Sequence, residues 1–314
     1  MSVVFHTQLL NYDLHRQLRD MGLDAIEPIA HHPSLRAAYF HARRNGGAPL
    51  FIKAFAMRAL TFAEQEARAL SASHPAQLAP VAEVKVYGTP LIFVFPFCAE
   101  LQGDLDAYGA DAAARAAFAM AAALAYGSLS AAYARASLLY VDLDEASFRV
   151  APSGQVILVD HDTVSDGTRL SELRGVYPGI PVKDEYLPSE TWTMDAFFSP
   201  EAEIGEWWGL VQLGRILRRW LGWDEPDSDL RRALDDPAQL PPRARAALGR
   251  LLEGLADSRE RKLTGREVVR RSLRVMRALY PLLARRDDGS AAHLVRLLGV
   301  LEACPGRTAV SLLP

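Results

Sequence analysis

Over the first third of the chain, apolar and polar residues alternate in short runs; beyond it they fall into helical spacing. Residues 1–24 are mixed and read as helical, with no assignable chemistry. From Ala25 to Phe55 the pattern turns extended. Ala37 to Ala42 (AAYFHA) and Leu50 to Phe55 (LFIKAF) flank Asn45-Gly46-Gly47, which predicts an antiparallel pair. Thr61 and Glu64 form a T-x-x-E capping box, which starts a helix near residue 62, and His74-Pro75 ends it. Val81 to Tyr87 and Leu91 to Phe97 predict two more strands about the turn Gly88-Thr89-Pro90. Residues 25–97 therefore read β-β-α-β-β. After Cys98 the chain reads as helical at Leu105 to Tyr108 and along the alanine-rich stretch to Ala136. A hairpin interrupts, a loop of about thirty residues follows, and the remainder is helical again. The expected fold class is α+β: a small β-rich lobe with one main helix, then a larger, mostly helical lobe, hinged near Phe97 to Gly103.

The interrupting hairpin carries the clearest chemistry. Phe148 to Val150 and Val156 to Val159 flank Ala151-Pro152-Ser153-Gly154, a turn signal between strand formers. Asp142 precedes the first strand and Asp160 caps the second, 18 positions later (160 − 142). Closing the hairpin is expected to bring both carboxylates to one lip, an arrangement suited to a metal ion and a proton acceptor. Upstream, Lys53 stands among apolar neighbours in its strand. On a buried face it needs a counter-charge or an anionic ligand; on an edge strand it would simply face solvent. Glu66 shares a helical face with Phe62 and Leu70 and is the expected partner of Lys53.

Composition narrows the classes without choosing among them. Half of the 314 residues are hydrophobic and 23% are charged, as in a packed globular protein. A net charge of −3 offers no basic surplus for nucleic acid or an anionic membrane. Only Cys98 and Cys304 occur, so neither a disulfide framework nor a cysteine metal site is expected, and a reducing cytoplasm fits. The N-terminus lacks a charged start followed by an apolar core, so no signal peptide is expected. Ala112 to Ala134, mainly alanine and interrupted by Arg115, reads as a buried helix and not a membrane span. The five tryptophans are expected to pack the helical part.

Taken in order, these pieces resemble a protein kinase, over about Ile26 to Leu273. Phe51-Ile52-Lys53 resembles the strand whose lysine grips the nucleotide phosphates, and Glu66 the helix glutamate that holds that lysine. Ile92 to Phe97 resembles the hinge strand, and Gly103-Asp104-Leu105 the turn after it. Asp142 matches the catalytic-loop aspartate that accepts the substrate hydroxyl's proton, and Asp160 the magnesium aspartate opening the activation segment. Pro188-Ser189-Glu190 or Ser199-Pro200-Glu201 could close that segment. Glu206-Trp207-Trp208-Gly209-Leu210 resembles the start of the family's central helix, where aspartate is usual. Asp257 through Arg261 resembles the stretch with the arginine that buttresses the closing glutamate. The resemblance implies ATP and Mg²⁺ as cofactors and divides the chain into an extension (1–24), an N-lobe (25–98), a C-lobe (99–285) and a tail (286–314). It implies a nucleotide held by Lys53, Val94, Phe95, Phe97 and Arg36, and a metal held by Asp160, Ser147 and Asp162.

Departures from the family pattern bear on activity. Pro28 to Ala38 (PIAHHPSLRAA) has no glycine where the family has its phosphate loop; His31, His32 and Arg36 would contact phosphate or fill its place. Tyr140-Val141 replaces the usual His-Arg, so Asp142 loses its ordinary support. Ser147 replaces the second metal-ligating asparagine (142 + 5). Asp162 replaces a glycine, as in a divergent group of bacterial kinase-like proteins, and would add a metal ligand or stiffen its loop. Without an arginine before Asp142, activity is expected to be independent of phosphorylation at Thr163 or Thr168. The function implied is an ATP- and Mg²⁺-dependent serine/threonine protein kinase acting on a protein substrate. The alternatives are a pseudokinase that senses nucleotide or scaffolds a partner, and a small-molecule kinase of the aminoglycoside or choline type.

Overall fold

The computed structural model describes residues 13–29, 36–72, 80–101, 105–106, 108–152, 155–161, 164–165, 205–256, 263–283 and 285. The protein is mixed α+β, with an antiparallel five-stranded sheet in its N-terminal part and helices following. It divides into two compact units. Among the described residues, the first holds 13–71 and 80–99 together with Asp160 and His161, and the second holds the rest.

In the first unit a short helix, α1 (Leu14–Arg19), precedes β1 (Leu23–Pro28), β2 (Ala37–Arg44) and β3 (Pro49–Phe55). A 3₁₀ turn (Met57–Ala59) leads into α2 (Leu60–Ala72), and β4 (Ala82–Val86) and β5 (Thr89–Pro96) complete the sheet in the order β1-β2-β3-β5-β4. Two tight turns set the hairpin registers. Asn45 and Gly46 both take positive φ (49° and 68°), as do Tyr87 and Gly88 (53° and 89°). Paired left-handed residues are the geometry that matches the right-handed twist of hairpin strands. The result pairs Tyr39 with Lys53 and Lys53 with Phe93, so β3 is an interior strand and the edge-strand alternative for Lys53 is excluded.

Helix α2 starts at Leu60, not near residue 62. The chain passes from the 3₁₀ turn straight into α-helix through Leu60 (φ −50°, ψ −46°), so Thr61 lies inside the helix and cannot serve as its N-cap. The inward stripe is Ala63, Glu66 and Ala69, with Phe62 and Leu70 at its partly buried margins. Phe40 and Ile52, a cross-strand pair, point to one face of the sheet, and Phe55 and Phe93 share the other with Lys53; all four are fully buried.

The second unit is organised on α3 (Ala112–Arg135), capped by Asp111, whose carboxylate accepts the Ala114 amide at 3.1 Å. This helix is long and apolar enough to cross a membrane, yet 89% of its most apolar window is buried inside the protein. Alanines all round permit packing on every side. At Gly127 a Cβ would come within 2.8 Å of the Gly265 carbonyl, the close crossing that seats a later helix against α3. A short strand, β6 (Ala99–Glu100), precedes α3, and after α3 come β7 (Leu139–Tyr140), a 3₁₀ turn (Glu145–Ser147) and the hairpin β8 (Phe148–Val150) and β9 (Val156–Leu158). Phe148 pairs with Leu158 and Val150 with Val156; a further bond from the Val159 amide to the Ser147 carbonyl (2.9 Å) extends the ladder. β10 (Val164–Ser165) pairs with β7. The remaining described helices are α4 (Glu206–Trp220), α5 (Asp229–Asp235), α6 (Pro242–Ala256) and α7 (Gly265–Leu283). Trp208 and Trp220 are buried, and the Trp220 ring meets Phe148 edge-on at 5.4 Å.

Candidate functional site

Lys53 lies on the middle strand of the sheet and is 2% exposed. An ammonium so placed must be compensated, because desolvating an isolated charge costs several kcal/mol or more. Two carboxylates do this: Nζ donates to Glu66 Oε2 at 2.9 Å and to Asp160 Oδ1 at 2.6 Å. The ammonium also sits over the Phe55 ring, 5.0 Å from its centroid. The three charged groups belong to one compact unit, although Asp160 follows a hairpin of the other in sequence.

The two carboxylates are not equivalent. Glu66 is 1% exposed, whereas the Asp160 side chain is 49% exposed. Burial pushes the Glu66 carboxyl above its ordinary range, and the Asp160 charge adds to this; the Lys53 ammonium and the His161 amide oppose it. Asp160 also has left-handed backbone (φ 67°), a conformation aspartate tolerates better than most residues. One cation facing two anions leaves the cluster formally at −1, and its wet end is Asp160. An enclosed structural lysine needs one counter-charge; this one has two.

Asp142 belongs to the second unit and is half-buried between Val141 (2%) and Leu143 (fully buried). Its support comes from α4. Trp208 Nε1 donates to the Val141 carbonyl at 2.9 Å, and Gln212 Oε1 accepts the Leu143 amide at 3.3 Å. Trp208 and Gln212 are four apart, hence on one helical face, and they hold the backbone on both sides of Asp142. The Tyr140 hydroxyl donates to the Val159 carbonyl at 2.6 Å, tying β7 to the end of the hairpin. Gly209 leaves room for this arrangement: a Cβ there would overlap the Tyr126 phenolic oxygen and reach 3.2 Å from the Tyr140 carbonyl. Glu206 Oε1 accepts both the Ser130 hydroxyl and the Gly265 amide at 2.7 Å, joining α3, α4 and α7.

Trp208 was expected only to pack, and Gln212, Ser130 and Asp144 were not singled out by the sequence. The readable sign at Gln212 was a polar residue inside the apolar run Leu210, Val211, Leu213, Ile216, Leu217; it is fully buried and its Nε2 has no partner among the described residues.

Other expected site residues have different work. Ser147 is 4% exposed and completes a capping box: its amide and hydroxyl donate to Asp144 Oδ1 at 2.9 and 3.0 Å, and its oxygen accepts the Asp144 amide at 3.2 Å. That hydroxyl takes part in a turn, work that the expectation of Ser147 as a metal ligand did not include. The Arg36 guanidinium lies over the Phe62 ring, 4.8 Å from its centroid. Val94 and Phe95 are buried in the core around the sheet, while Phe97 is 38% exposed beside His41. Asp162, Thr163, Thr168, His31, His32, Gly103, Asp104, Pro188 to Glu190, Ser199 to Glu201 and Asp257 to Arg261 lie outside the described residues.

For Mg²⁺ the donor set fits in part. This ion takes one or two protein carboxylates and keeps water or phosphate for its other positions, which the half-exposed Asp160 suits. Among the described residues no three acids, histidines or cysteines gather into a fuller metal site. No family model matches this chain, and no curated protein matches it.

Proposed function

We propose that the protein is an ATP- and Mg²⁺-dependent phosphotransferase with a bilobal, protein-kinase-like fold, a divergent serine/threonine kinase acting on a protein substrate in the cytoplasm. The observation that carries the reading is Lys53, buried on a central strand and bonded at once to Glu66 and to the half-exposed Asp160. Glu66 is the permanent partner, because it has no solvent of its own. Asp160 is the exchangeable one, because water can replace Lys53 around it. Lys53 would give up Asp160 for a phosphate oxygen while Glu66 keeps the ammonium in place. Asp160 would hold Mg²⁺, which when bound neutralises phosphate charge. Asp142, its backbone held by Trp208 and Gln212, would accept the proton of the attacking hydroxyl.

A second reading is favoured by Ser147, whose hydroxyl is engaged by Asp144: a pseudokinase that binds nucleotide without turning it over. Thermal unfolding with ATP and Mg²⁺, in the wild type and in Asp160→Asn, followed by an assay for ADP and phosphorylated protein with a general protein acceptor, separates these. A site at a hundredfold ligand excess stabilises by about 2.7 kcal/mol. A shift in the wild type that Asp160→Asn abolishes, with turnover, supports the phosphotransferase. A shift without turnover supports the pseudokinase. No shift at millimolar nucleotide removes both.

A further inference from the structure

Helices α6 and α7 pack side by side in the second unit and leave a groove of about 660 Å³. Its apolar lining is Pro242, Ala246, Ala247 and Ala278. Its walls are Arg243 and Arg250 from α6 and Arg274 and Arg277 from α7, all exposed, and among the described residues no carboxylate lines it. Other arginines on these helices have acidic partners, Arg245 in Asp235 and both Arg270 and Arg271 in Glu267. Arg243, Arg250 and Arg274 have no such partner among the described residues. Four cations lining one groove favour an anionic occupant, the more so at low salt.

The dimensions select the anion's form. Arg243 and Arg250 are seven positions apart, about 10 Å along a helix at about 1.5 Å per residue. An extended peptide rises about 3.3 Å per residue, so three or four residues span that distance. Guanidinium forks match carboxylates two bonds at a time. Nucleic-acid binding usually draws on a basic domain, and this chain carries −3 with an isoelectric point near 6.3. A membrane surface would need an apolar face to insert, which a lining of proline and alanines walled by arginines lacks.

We propose that this groove docks a short acidic segment, rich in Asp and Glu, of a partner protein. The inference stands apart from the phosphotransferase reading, since it uses none of the same residues. The test is fluorescence anisotropy with the full chain and a labelled hexapeptide of alternating Asp and Glu. Its Asn/Gln counterpart, a short DNA duplex and phosphatidylserine vesicles serve as competitors. Arg250→Glu and Arg274→Glu are compared with Arg135→Glu, an exposed site elsewhere that changes net charge equally; melting curves confirm that all are folded. Expected are saturable binding of the acidic peptide, weakening between 50 and 300 mM salt, and a loss of about tenfold or more in each groove variant only, given two charge-assisted bonds removed. Absent binding, an equal loss in Arg135→Glu, or stronger competition by duplex, vesicles or the amide peptide would overturn it.

Discussion

Replacing Lys53 with methionine keeps the length of the side chain and removes its charge. The consequence falls mainly on Glu66, because Asp160 is 49% exposed and can rehydrate whereas Glu66, at 1%, cannot. Breaking a buried pair from one side costs about 3–5 kcal/mol. A second route gives a similar figure. If Glu66 escapes by taking a proton, neutralising it at pH 7, which is 2.5 units above the ordinary 4.5, costs about 3 kcal/mol at about 1.36 per unit. Two signatures distinguish this from a packing defect. Lys53→Met with Glu66→Leu should recover most of the loss, because a buried pair replaced whole by apolar groups is often neutral or stabilising. The deficit should also shrink on acidification. Glu66 is pushed up by burial, and removing the ammonium removes the chief opposing influence. Between the unfolded value and the raised folded one, the native state binds more protons, so stability falls as pH rises through that window and returns as pH drops from 7 to 5. Urea denaturation of wild type and both variants at pH 5 and 7 measures all of this. A single-variant loss below about 1 kcal/mol, well under the range for a broken buried pair, or a loss unchanged at pH 5, would refute the argument.

Trp208→Phe strands the buried Val141 carbonyl and Gln212→Leu strands the Leu143 amide, each at about 1–3 kcal/mol. Hydrogen exchange across residues 139–148 should speed up by about tenfold or more in both, and unchanged exchange would count against the clamp on Asp142. Gly209→Ala should cost about 1–3 kcal/mol by overpacking against Tyr126. Adding Tyr126→Phe should restore part of that loss, so strictly additive losses in a double-mutant cycle would sink the explanation. At Glu267 partial burial would raise the carboxyl, but hydrogen bonds from Arg271 and Arg270 outweigh it and hold the group below 4.5. Its contribution is present above that value and fades as pH falls through the folded one, so Glu267→Gln should flatten the acid limb of the stability curve, and an unaltered limb contradicts this.

How much of this was legible depended on the range of each interaction. The β2–β3 hairpin was readable because Asn45-Gly46 prescribes its turn locally, and the β8–β9 hairpin because apolar runs bracket Pro152 and Gly154. The pairing of Lys53 with Glu66 was readable from one strand and the helix after it. The start of α2 was misjudged because T-x-x-E marks a cap only when the chain ahead is non-helical, and here a 3₁₀ turn runs into it. The capping role of Ser147 was missed for a related reason. Counting five from Asp142 nominates a ligand, but counting three from Asp144 nominates a capping partner, and spacing alone does not choose between them.

The hold on Asp142 was hidden for a deeper reason. The bonds from Trp208 and Gln212 reach 67 and 69 residues along the chain and end on backbone groups, which leave no mark on the residue types at Val141 and Leu143. Only the side-chain end carries a trace: an amide set in an apolar helical stripe, where burying it without a bond would cost about 1–3 kcal/mol. The loop that carries Asp142 is therefore not unsupported. Tyr140 spends its hydroxyl on Val159, next to Asp160, while α4 takes over the backbone on either side of Asp142. Lys53 thus bonds Asp160 through charge, and neutral hydrogen bonds hold the backbone on either side of Asp142. Lys53→Met should disturb the first without touching exchange around the second, and Gln212→Leu should do the reverse.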